Sequence, residues 1–101
     1  MTQNDVISFV QAYGSMLNSA KMAQGNNSIV YLSGKTRKYL RIRDVIGAYQ
    51  TLSKLASNVV SPDSLKRYQG FSGSSCNRNF FLNLLVAMKK ATFNGRLYNI
   101  I

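Results

Sequence analysis

The chain has 101 residues, 46% of them hydrophobic, which is enough for a modest core and excludes a disordered basic tail. Thirteen Lys and Arg stand against three acids, all Asp, for a formal net charge of +10, so phosphate-rich or otherwise acidic partners are favoured. With no His and one Cys, finger-type and hydrolase-type zinc sites and an intramolecular disulfide are excluded.

No apolar run reaches the length of a membrane span, and the first residues lack a secretory pattern. The expected setting is a reducing, cytoplasmic one, in the host cell if the protein is viral. Asn26-Asn27-Ser28 then reads as a chance glycosylation sequon. A composition rich in Asn and Ser and free of Glu has the character of a small viral, phage or mobile-element protein.

Thr2 is placed to cap a helix, with Asp5 three residues on to answer it. Val6, Phe9, Val10, Tyr13, Met16, Leu17 and Ala20 follow a 3.6-residue period, predicting a long helix over Asn4–Ala23. Its stripe serves as core or as a homo-oligomer face. Gly14 in its middle points to a close packing contact.

Gln24 to Ser28 reads as a loop. Ile29–Leu32, the turn residues Ser33-Gly34 and a second run predict a β-hairpin, Ser28–Leu32 against Arg37–Arg41. Leu40, Ile42, Val45, Ile46 and Tyr49 also fit helical spacing, so Arg37–Arg43 reads alternatively as the start of the next helix. Taken as a strand, it puts Lys35, Arg37, Tyr39, Arg41 and Arg43 on one face and Thr36, Lys38, Leu40 and Ile42 on the other. The first face is a cationic row with a tyrosine in its middle, suited to phosphates and to a stacked base. A solvated face would normally mix both signs of charge.

A helix is predicted from Asp44 to about Ser57, with Val45, Ile46, Tyr49, Leu52, Leu55 and Ala56 inward. Ser61-Pro62-Asp63 then opens a short helix carrying Leu65 and Tyr68 inward and Lys66 and Arg67 outward. Ser74 or Ser75 caps a last helix to about Ala91, with Phe80, Phe81, Leu84, Leu85 and Met88 as its core stripe and Lys89 and Lys90 in its final turn. Asn94-Gly95 makes a turn, and Arg96–Ile101 is a β-like tail that adds an edge strand or frays. The fold expected is α+β and mainly helical. It is a single domain over 1–101 with a long first helix, a basic hairpin and three further helices.

Catalytic motifs fail on inspection. Gly34-Lys35-Thr36 resembles the end of a phosphate-binding loop, but the Gly required five residues earlier is Ile29. Asp5, Asp44 and Asp63 each fall in a predicted first turn, where they favour the positive helix end, so none is left as a catalytic acid. Cys76 has no His to activate it.

The segment around Gly70 partly fits a helix-turn-helix. Leu65, Phe71 and Cys76 suit such a unit, whereas Lys66, Gln69 and Asn79 do not. Asn77 and Arg78 near the last helix's start are residue types that read base edges.

The reading is a non-enzymatic nucleic-acid-binding protein, DNA and RNA not distinguished, with neither metal nor cofactor. Lys35, Arg37, Lys38, Arg41 and Arg43 contact phosphates and Tyr39 stacks. Lys66, Arg67, Asn77 and Arg78 supply a basic helical face. The alternative is a viral or phage-type inhibitor or adaptor that docks on the acidic surface of another protein.

Overall fold

The computed structural model describes residues 1–55 and 57–101. The chain is α+β and divides into two compact units, Met1–Ile46 and Gly47–Ile101.

In the first unit, helix α1 (Gln3–Tyr13) starts where the sequence places it. Thr2 Oγ1 accepts from the Asp5 N–H at 3.1 Å, and the Asp5 carboxylate accepts from the Thr2 N–H at 2.8 Å. The expected continuation to Ala23 does not form. After one 3₁₀ turn, Gly14–Met16, the chain reverses through Asn18 and Ser19, both left-handed at φ 55° and 51°. Gly14 is the cause. It is buried beneath the Ala20 carbonyl oxygen, which a Cβ at Gly14 would overlap, and its own carbonyl accepts from the Ala20 N–H at 2.8 Å. The returning chain becomes a two-residue strand, β1 (Lys21–Met22).

The hairpin forms as expected, from β2 (Ser28–Ser33) and β3 (Thr36–Arg41), joined by the two-residue loop Gly34-Lys35 with Gly34 at φ +61°. The sheet order is β1-β2-β3, antiparallel throughout. Asn18 extends the β1 side. Its carbonyl accepts from the Leu32 N–H at 2.8 Å, and its side-chain amide donates to the Leu32 carbonyl at 3.3 Å.

Val6 and Val10 of α1, Ile29 and Tyr31 of β2 and Leu40 of β3 are buried. Tyr13 and Met16, expected in the same stripe as Val6 and Val10, stay exposed.

The choice between strand and helix for Arg37–Arg43 resolves as both in turn. The strand runs to Arg41 and helix α2 (Ile42–Ser53) begins at the next residue, two earlier than expected. The Ile42 N–H donates to the Asn27 carbonyl at 2.9 Å, and Ile42, Val45, Ala48 and Leu52 form the buried stripe. α2 begins in the first unit and ends in the second. The inward position expected for Ala56 lies outside the described residues, and Leu55 is exposed.

In the second unit, Ser61 and Pro62 open a helix as predicted, but of 3₁₀ type, Pro62–Arg67, with Leu65 fully buried. Helix α3 (Ser75–Ala87) is capped by Ser74, whose Oγ accepts from the Asn77 N–H at 3.1 Å. Phe80, Phe81, Leu82, Leu84 and Leu85 are all buried, so it is contacted on several sides.

α3 ends four residues before the expected Ala91, so Lys89 and Lys90 are past its last turn. The Lys90 N–H reaches the Leu85 carbonyl at 2.8 Å and the Lys89 N–H the Val86 carbonyl at 3.0 Å, with Lys89 left-handed at φ 62°. This is a Schellman stop with lysine at the position that glycine usually takes.

The second sheet combines β4 (Val59–Val60), β5 (Ala91–Phe93) and β6 (Tyr98–Ile100) in the order β4-β6-β5. The tail expected to lie on an edge or fray is therefore the central strand. Tyr98 pairs with both Val60 and Phe93, and Tyr98 and Ile100 are buried.

Gly14→Ala should lower stability by about 3 kcal/mol, since the new methyl must displace backbone. Gly47→Ala, with open space around a helical position, should raise it by up to about 1 kcal/mol. Lys89→Gly should raise it by about 1 kcal/mol by relieving the left-handed lysine. Urea denaturation of the three variants beside the parent chain measures all three.

Candidate functional site

Directly paired residues of antiparallel strands share a sheet face. The register Leu32↔Arg37, Val30↔Tyr39 and Ser28↔Arg41, with Lys21↔Val30 on the far side, therefore puts Lys21, Arg37, Tyr39 and Arg41 on one face. Lys21 and Tyr39 are separated by two strand spacings, about 10 Å, and Arg37 and Arg41 by about 13 Å along β3. Arg37, Arg41 and Lys21 are exposed, and Tyr39 is 58% exposed. None of the cross-strand partners is acidic, so no carboxylate in the register neutralises the row.

The expected row is thus partly assembled. Lys35 sits in the hairpin turn at the end of the face. Arg43 belongs to the first turn of α2 rather than to the strand, and with Arg41 it lines a cleft of about 380 Å³ together with Asn27 and Ser28. Lys38 pairs with Tyr31 on the opposite, mainly apolar face and is half-buried.

Lys21 was not legible as a member. Its place in the helical period ending at Ala20 hid the reversal that carries it to the sheet, and only the buried Gly14 hinted at that reversal.

The remaining expected residues lie in the second unit. Lys66 and Arg67 are exposed at the end of the 3₁₀ helix, and Lys66 Nζ lies 3.6 Å from Asp63 Oδ1. That pair is open to solvent and contributes little. Asn77 is half-buried and bonded into the loop before α3, its side-chain amide donating to the Gly70 carbonyl at 3.3 Å.

Arg78 is a correction. It is only 7% exposed, and Nη1 donates to the Phe71 carbonyl at 2.7 Å and to the Ser72 carbonyl at 3.5 Å. Its guanidinium holds the turn between the 3₁₀ helix and α3 and is buried there. The other cations of this unit, Lys54, the adjacent pair Lys89 and Lys90, and Arg96, come from three separate stretches of the chain.

Among the described residues, no group of three or more His, Cys, Asp or Glu is placed to hold a metal ion, and no helix is long and apolar enough to cross a membrane. Cys76 is half-buried in the first turn of α3. No protein-family model, curated protein or solved structure matches the chain.

Arg78→Met should cost about 2–3 kcal/mol of stability, because the Phe71 carbonyl loses its charged donor inside the unit. Lys66→Ala should change stability by less than about 0.5 kcal/mol. Thermal unfolding of both variants distinguishes the structural arginine from the solvated lysine.

Proposed function

We propose that the protein is a small non-enzymatic nucleic-acid-binding protein, working in the cell interior, and that the exposed face of its first sheet is the contact surface. The observation that carries this reading is the row Lys21, Arg37, Tyr39 and Arg41, set on one face by the strand register with no acidic residue among its cross-strand pairs. Lys35 and Arg43 extend the charge beyond the ends of the strand.

Cations spaced along a sheet can each neutralise a phosphate, and the energy comes chiefly from the counterions this releases. The tyrosine among them offers a ring to a base or sugar. Cross-strand pairing fixes the backbone that carries these side chains, so their spacing is set before binding. Lys66 and Arg67 provide a separate, weaker contact from the second unit. Arg78 takes no part.

Binding to labelled nucleic acid across a salt series tests the reading. Five neutralised phosphates give a log–log slope of about −3.5 on a single strand or about −4.5 on a duplex. The double variant Arg37→Glu, Arg41→Glu should abolish binding while leaving the unfolding midpoint within a few degrees of the parent's, because both side chains face solvent. Lys21→Glu should weaken binding as either single arginine variant does. A double variant that binds normally would refute the placement. If the parent chain is indifferent to nucleic acid in every form, the face is left for an acidic protein surface.

A further inference from the structure

The basic face is not uniform along its length. Its middle is aromatic and apolar, with Tyr39 directly across from Val30, and exposed Leu32 lies across from Arg37 toward the hairpin turn. Val30 is buried even though it belongs to this face. Cations stand to either side. Lys21 and Arg37 rim a hollow of about 190 Å³ that Val30 and Leu32 also line. Arg41 and Arg43 line the larger cleft, and Tyr39 stands between Arg37 and Arg41 on the strand.

A duplex has little use for this arrangement. Its bases keep their faces stacked and offer only edges in the grooves. Those edges are read by side chains with paired donors and acceptors, such as Arg on guanine or Asn on adenine. A tyrosine flanked by Val and Leu provides no such pairing. It provides a flat ring and an apolar floor, which suit the face of a base that has left its stack.

Resting on the reading proposed above, we infer that the ligand is an unpaired strand. One base lies on Tyr39, and the flanking phosphates are held by Arg37 on one side and by the Arg41–Arg43 cleft on the other. The strand thus runs along β3, so the two phosphate contacts are about 13 Å apart with the stacked base between them. Pairing the strand should remove the stacking contact and leave only the charge contacts.

The chain contains no Trp, so Tyr39→Trp would place a sole tryptophan reporter at the stacking position. This variant would be titrated with a mixed-sequence oligonucleotide of about 12 nucleotides, and separately with the same strand in duplex form. Quenched emission with the single strand, unchanged emission with the duplex, and at least a tenfold preference for the single strand are expected. Tyr39→Ala should weaken single-strand binding about tenfold or more and leave duplex binding unaltered.

Duplex binding as tight as single-strand binding, or emission indifferent to a single strand that does bind, overturns the inference and leaves nucleic-acid binding in place. Failure of the parent chain to bind either form overturns both.

Discussion

The register of β2 on β3 is the constraint on which the first unit depends. Side chains alternate along a strand, so a slip of one residue would exchange the two faces completely. Leu40 would leave the interior, and Arg37 and Arg41 would enter it without a counter-charge. A two-residue loop with glycine in its first position prevents that slip, since its twist suits the flanking strands. The apolar face and the cationic face are therefore set by one choice, and the core holds the charges in place.

In the second unit a charge is buried. Arg78 is buried on α3 at a desolvation cost, and it donates to the backbone of the turn before it. A turn such as Phe71–Ser74 exposes carbonyls that no helix or strand satisfies. A guanidinium with several donors in one plane is well suited to serve them. Nε has no partner of its own, so the arrangement keeps a residual electrostatic cost.

What could be read from the sequence was local. The Thr2 and Ser74 caps, the hairpin and its register, the Pro62 start and the placement of all three Asp in first turns needed only neighbouring residues. The misreadings arose where a distant contact overruled a local period. Apolar spacing carried α1 on to Ala20, whereas the contact between Gly14 and the Ala20 carbonyl stopped it. Lys89 hid the end of α3 because it adopts a conformation that usually announces itself with glycine. The tail looked like an edge because nothing nearby reveals that Val60, almost forty positions upstream, pairs with Tyr98. The charged row was visible in composition and spacing, but Lys21 joined it, and Arg78 left the expected helical face, through tertiary structure alone.

The charges on the first sheet have a second consequence, for the protein's own self-association. Outer strands are the usual templates for one chain to pair with another, and lysines, arginines and short length are what discourage it. Here β1 is two residues long and carries Lys21, while β3 carries Arg37, Lys38 and Arg41. Like-charged edges keep copies apart only while the charge is uncompensated. A polyanion in limited supply would neutralise that repulsion and bring several chains onto one scaffold, so turbidity would peak near charge equivalence and clear again in excess polyanion.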